Sequence, residues 1–220
     1  MYNGVKMKSL IIKADKKSIK KAYDLLNKSL KKGDIILTGP IPNNFFFKYF
    51  NFISMISRKV LRGITHSCLY LGNGYVFDID HKIIRNGDDM EKITLKKLIQ
   101  NKINHFGGVI IYVVQPKLYT LKNRNLVVKE TVNNFLKKSK FIAFSYFESL
   151  KAGFRFFFER HKFYKKENLN FQKKWNCSHI VAHILKKSGT PIGKRVSYTF
   201  VPCTFVFSRH FKVKQKVILK

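Results

Sequence analysis

Cys177 stands at the front of "KKWNCSHIVAHILKKSG", Lys173 to Gly189, directly after Trp175 and Asn176. Three roles are open to such a thiol: a small core filler, a metal ligand, or a nucleophile paired with a histidine. Asn176 is a good N-cap, and Trp175 is placed to pack on Ile180, the fourth helical residue, as a hydrophobic staple. Ile180, Val181, Ile184 and Leu185 follow at helical spacing. The helix is expected to stop at Gly189, with Lys186 and Lys187 complementing the C-terminal end of the dipole. Cys177 therefore falls in the first turn, where orphan N–H groups and the dipole lower a thiol's pKa. A thiolate there becomes a nucleophile only with a base or ion-pair partner close by.

The stretch "ITHSCLYLGNGYVFDID" supplies the candidate partner. Two β-rich runs flank Gly72-Asn73-Gly74, which reads as a hairpin. With a three-residue loop, Cys68 lies opposite Asp78 and His66 opposite Asp80, so His66 and both aspartates project to one face. A two-residue Asn-Gly loop would turn both aspartates to the other face. The odd loop is thus a condition for a His66–Asp78 pair, with Asp80 as the alternative acid. An acid orienting an imidazole that in turn holds a thiolate is the logic of cysteine hydrolases. The competing reading of His66 is a half-buried strand histidine.

"HIVAH" spaces His179 and His183 four residues apart, which invites a metal reading. The zinc-protease motif needs Glu after the first histidine, and Ile180 stands there instead. His179 also points about 200° around the helix from Cys177. Both histidines are therefore expected to face solvent or an interface, and no metal or other cofactor is expected. Cys68 and Cys203 read as structural, with Cys68 on the His66 face.

These residues need elements to carry them. "KKSIKKAYDLLNKSLKKGD" has a helical apolar stripe ending at Gly33, and "GDIILTG" is a short buried strand. "IPNNFFFKYFNFISMISRKVLRG" reads as a loop leading into a helix. "EKITLKKLIQ" reads as a short helix, "GGVIIYVVQP" as a buried strand, and "NRNLVVKETVNNFLKKS" as an amphipathic helix. "SYTFVPCTFVFS" reads as a short helix or strand, and "FKVKQKVILK" as a final strand. The aromatic, basic stretch from Phe141 to Lys174 carries no clear periodicity. Strands and helices without steady alternation indicate an α+β fold. At 220 residues, one main domain over 33–220 is expected, preceded by a helical extension over 1–32.

Lys and Arg number 44 against 12 Asp and Glu, for a net charge of +32. Abundant Lys, Asn, Ile and Phe are what AT-rich genomes encode, but such bias supplies Asp and Glu as well, and these are scarce. The field favours anionic partners, either nucleic acid or an anionic membrane surface. Three widely spaced cysteines make no disulfide framework, which points to a reducing compartment. No signal peptide and no membrane-spanning run is recognisable.

"GDIILTG", "THSCLYLGNGYVFDID", "WNCSHIVAHILKKSG" and "VPCTFVFSRHFKVKQKV" together resemble the permuted branch of the NlpC-type papain-like superfamily. YiiX-like hydrolases with poxvirus members, and lecithin:retinol acyltransferase-like proteins, are the relatives in view. In that branch the histidine strand precedes the cysteine helix, as it does here. The resemblance spans roughly Gly33 to Val217. It implies a circularly permuted papain-like fold, an antiparallel sheet packed on helices with the nucleophile at a helix N-terminus. It also implies Cys177 as nucleophile, His66 as base and Asp78 as the third polar residue, where YiiX-like proteins have Glu and the acyltransferase-like ones His. The backbone N–H of Cys177 would join an oxyanion hole.

The chemistry implied is attack on an acyl carbon of an amide, ester or thioester. "FFFKYFNFISM" and "FRFFFERHKFYKK" join aromatics to basic residues, which suits an anionic lipid interface or the stacked bases of single-stranded nucleic acid. Three functions follow: an acyl hydrolase or acyltransferase near a membrane, a cysteine peptidase or amidase, and a non-catalytic basic protein bound to nucleic acid. A cytoplasmic or virion-associated location is expected for each.

Overall fold

In the computed structural model, residues 9–12, 16–41, 63–79, 90–137, 143–144, 174–193 and 200–220 are described. The first half comprises β1 (Ser9–Ile12), α1 (Lys16–Ser29), β2 (Ile35–Pro40), β3 (His66–Gly72), β4 (Tyr75–Ile79), β5 (Met90–Thr94) and α2 (Leu95–Phe106). The second comprises β6 (Val109–Pro116), α3 (Leu121–Glu130) with a π-helical continuation over Thr131–Leu136, β7 (Ala143–Phe144) and β8 (Lys174–Trp175). It closes with α4 (Cys177–Lys187), α5 (Thr204–Phe207) and β9 (Phe211–Leu219).

Seven strands form one sheet in the order β1-β9-β6-β2-β3-β4-β5. Six of them run antiparallel to their neighbours, and β1 adds to β9 in parallel. The fold is α+β, as expected, with the antiparallel sheet packed against helices. Strand alternation sorts the side chains into two cores, one on each face. Ile35, Leu37, Leu69 and Phe77 face α4 through Ile180, Val181 and Ile184. Ile36, Cys68, Tyr70 and Val76 face the other way, toward Ile19, Ala22 and Leu26 of α1 and Leu98 and Ile99 of α2. Burial on both faces explains why "DIIL" and "VIIYVV" read as continuous apolar runs. Residues 1–32, expected as an extension, contribute β1 to this sheet and α1 to the second core.

"EKITLKKLIQ" is not a single helix. Met90–Thr94 pairs with β4 as an edge strand, and the helix starts only after Thr94. The Thr94 hydroxyl accepts the Lys97 N–H at 3.1 Å and so stops the helix from extending backwards. Strand pairing and burial of Met90 and Ile93 outweigh the helix preference of the lysines. The helix α3 begins before the expected stretch, at a capping box in which Thr120 and Asn123 bond each other's backbone N–H. The expected helix between Ile41 and Gly63 lies in 42–62, outside the described residues, as do 145–173 of the aromatic basic stretch. No helix among the described residues is long and apolar enough to cross a membrane.

One close approach controls the entry to β3. The Thr65 N–H donates to the Thr38 carbonyl at 3.0 Å, while Thr38 is also the register partner of His66. That bond ties the approaching chain to β2 one residue before β3 begins. Beside it, Gly39 lies so close to the incoming chain that a Cβ there would sit 1.7 Å from the Gly63 carbonyl oxygen. Gly39→Ala is expected to destabilise the fold by about 1–3 kcal/mol, the cost of overpacking against rigid backbone. Urea denaturation measures it, and an unchanged midpoint would contradict this role of Gly39.

Candidate active site

The β3–β4 hairpin reaches the required register by a different route from the expected one. Its turn has two residues, Asn73 and Gly74, with φ of 53° and 75°, the primed geometry that suits strand twist. An extra residue, Leu71, then enters β3, because Tyr70 pairs with Val76 whereas Gly72 pairs with Tyr75. Turn and bulge together do what a three-residue loop would do. The Leu69–Phe77 pair sets Cys68 across from Asp78, and His66 shares their face.

His66 Nε2 and Asp78 Oδ1 lie 2.7 Å apart, and both residues are buried. The Ile79 N–H also donates to Asp78 Oδ1, at 3.1 Å, which fixes the carboxylate's orientation. With Nε2–H donated to Asp78, a neutral ring carries its lone pair on Nδ1. Asp80, the alternative acid, lies outside the described residues.

Cys177 opens α4 as expected. The Asn176 side chain caps the helix by accepting the His179 N–H at 2.8 Å. The C-terminal end closes with Gly189 at φ 71°, and the Thr190 N–H reaches back to the Leu185 carbonyl, a Schellman arrangement. Trp175 and Ile180 both belong to the core beneath the helix.

Two opposed influences act on the Cys177 thiol. Burial, the largest, raises its pKa; hydrogen bonding and charge from His66 lower it, with further help from the Ser67 side chain and backbone, and the net direction is downward. Cys177 is buried, with 6% of its surface exposed. Cys177 comes from the core on the α4 face, whereas strand alternation puts His66, Cys68 and Asp78 on the α1–α2 face. The two sides meet at His66, the first residue of β3. Ser67, whose side chain points to the α4 face, is the residue that the sequence reading missed. Its Oγ is buried without a hydrogen-bond partner at bonding distance among the described residues, and it acts on the thiol at longer range. Its position next to His66 was the available signal.

His179 and His183 do not face solvent; they are 3% and 2% exposed. Trp175 is the reason. Its ring stacks on His179 at 4.4 Å between centroids and meets His183 edge-on at 5.0 Å. The staple residue thus draws both imidazoles into the core, which a helical wheel cannot show. Cys203 is fully buried, as is Cys68, whose Sγ meets the Ile36 carbonyl at 3.4 Å. Among the described residues, the donor atoms of His66, Cys68 and Asp78 cluster closely enough to hold a metal ion, all within 4.8 Å of one another. No protein-family model matches this chain, and no curated protein is detectably similar to it.

Two outcomes follow from this geometry. Alkylation by iodoacetamide should fall first on Cys177, and His66→Ala should slow it at neutral pH by about tenfold or more, because the imidazole favours the thiolate. Peptide mapping reads the site, and equal labelling of all three cysteines would exclude an activated thiol. The second outcome concerns His179, whose pKa is lowered from 6.5 to about 3 by burial first, then by the charges of His183 and Lys186. An unfolded chain takes up this proton near pH 6.5, while the folded one resists until about pH 3. Stability should therefore be complete above pH 6.5 and decline as pH falls through that window, by up to about 1.4 kcal/mol per pH unit from this residue. His179→Phe should flatten the slope by up to one proton in urea denaturations between pH 7 and pH 4. An identical slope in the variant would assign the acid sensitivity elsewhere.

Proposed function

We propose that this chain is a cysteine-dependent acyl hydrolase or acyltransferase with a permuted papain-like arrangement. Cys177 is the nucleophile, His66 the base, and Asp78 the acid that orients it. The observation that carries the reading is the 2.7 Å His66–Asp78 bond in an imidazole that also acts on a thiol at a helix N-terminus. Asp78 holds Nε2–H, so Nδ1 accepts the Cys177 proton. The thiolate then attacks the acyl carbonyl, and the N–H of Cys177 meets the developing oxyanion. His66 returns the proton to the leaving group, a thioester remains on Cys177, and water or an acceptor resolves it. Asp is one methylene shorter than Glu, but Asp78 still reaches the ring from directly beside Cys68 on the same face.

Amide, ester and thioester substrates all fit this chemistry. The net charge of +32 favours an anionic substrate surface, which a lipid interface provides. The rival is a non-catalytic basic protein that binds nucleic acid or membrane through that same charge. It assigns no chemistry to Cys177.

An activated thioester of a medium-chain fatty acid, mixed with the protein and quenched in acid, should leave one acyl group on Cys177 by mass spectrometry. Cys177→Ala should abolish the adduct. Asp78→Asn should slow turnover by several orders of magnitude, up to about 10⁴-fold, because the amide favours the wrong tautomer. Absence of an adduct and of turnover across ester, thioester and peptide substrates would favour the non-catalytic reading.

A further inference from the structure

We propose that the buried face of the β3–β4 hairpin is also a cation site, in which His66, Cys68 and Asp78 bind one soft divalent ion of the zinc class. Imidazole nitrogen, thiolate and carboxylate are the donor set zinc takes, and here their donor atoms already lie within 4.8 Å of one another. Zinc–ligand bonds of about 2.0–2.3 Å put neighbouring donors roughly 3–4 Å apart. The ion would therefore spread the 2.7 Å His66–Asp78 contact and draw Cys68 inward. The Cys68 thiol bonds the Ile36 carbonyl at 3.4 Å, a weak contact next to a zinc–thiolate bond. His66 and Cys68 are two apart on β3 and Asp78 lies across on β4, so side-chain rotation alone completes the set.

A second observation points the same way. Thr38, the cross-strand partner of His66, shares that face and is fully buried. Its Oγ1 has no hydrogen-bond partner among the described residues. A water in the fourth zinc position would supply one. His66 keeps 6% of its surface exposed.

The consequence rests on the reading of His66 as base. An ion bound to Nε2 displaces the ring proton to Nδ1, while Cys68 loses its thiol proton to solvent and Asp78 binds as the anion. Charge and protons balance: one divalent ion is taken up and one proton is released. Nδ1 then has no lone pair for the Cys177 proton, and the base is switched off. Cys68 makes the thiol site sensitive to zinc without taking part in the reaction.

The test titrates metal-free full-length protein with Cd²⁺, read by cadmium–thiolate absorbance, and with Zn²⁺ in competition with a chelating dye. One equivalent should bind. Cys68→Ser should weaken binding by at least about tenfold, while Cys177→Ser should leave it nearly unchanged. Zn²⁺ should slow alkylation of Cys177 at least about tenfold in the wild type and not in Cys68→Ser. Asp78→Asn, which keeps side-chain volume, provides a second ligand variant should Cys68→Ser fail to fold. Its binding should weaken likewise. No binding, equal binding by Cys68→Ser, or loss of binding in Cys177→Ser would overturn the site. Binding without slowed alkylation would overturn the switch. An unreactive Cys177 in metal-free protein would count against the proposed catalysis alone, because the cadmium absorbance reports on Cys68 regardless.

Discussion

The register of the β3–β4 hairpin is the constraint on which the rest depends. Side chains alternate with a period of two, so one residue of slip would send Asp78 to the α4 face and leave His66 without its acid. Tyr70 holds that register from several directions. Its backbone carbonyl accepts the Gly33 N–H at 2.7 Å, and its N–H donates to the Asp34 carbonyl at 2.9 Å. Its hydroxyl accepts the Gly74 N–H at 3.0 Å and donates to Asn27 at 2.8 Å. One residue thus ties the turn, β2 and α1 together next to the bulge that decides the face.

A chain with a net charge of +32 works against its own folding by self-repulsion, and among the described residues one acid gathers several of its cations. Asp34 is fully buried and accepts Arg124 and Lys214, each at 2.7 Å, as well as the Lys31 N–H at 3.0 Å. Arg124 also donates to the Lys32 carbonyl and to Gln115. This node joins the α1–β2 connection to α3, β6 and β9. A buried charge set of this kind is strongly destabilised by loss of any one partner. Asp34 holds the frame in which β2 and β3 lie, and Asp78 does the local work at the site.

Much of this was legible in the sequence because it rests on local rules. Asn176 before an apolar stripe announces a capped helix, and Cys177 in its first turn follows. The glycines around Asn73 announce a hairpin, and His66 and Asp78 then fall on one face if the loop is odd. What was hidden depends on neighbours distant in sequence. A two-residue turn with an extra Leu71 gives the same parity as a three-residue loop, and local turn chemistry does not distinguish them. His179 and His183 looked polar and outward, yet Trp175 folds over both and buries them. "EKITLKKLIQ" divides at Thr94 because β4 offers Met90–Thr94 a partner, which the segment's own composition does not reveal.

The opposed influences on Cys177 show what the proposed nucleophile would require of its neighbours. A buried thiol prefers to stay protonated, and burial is the largest single influence on this one. An imidazole free to rotate would spend part of its time facing away, and the thiol would revert toward the neutral form. The 2.7 Å bond to Asp78 removes that freedom and supports the positive charge the ring gains on taking the proton. Ser67 contributes from the other side of the strand, where its hydroxyl is buried without a closer partner among the described residues. An unpaired buried hydroxyl costs the folded state about 1–3 kcal/mol. In the proposed reaction a charge on the Cys177 sulfur would meet both His66 and Ser67, and their combined effect on the thiol's pKa is downward despite its burial.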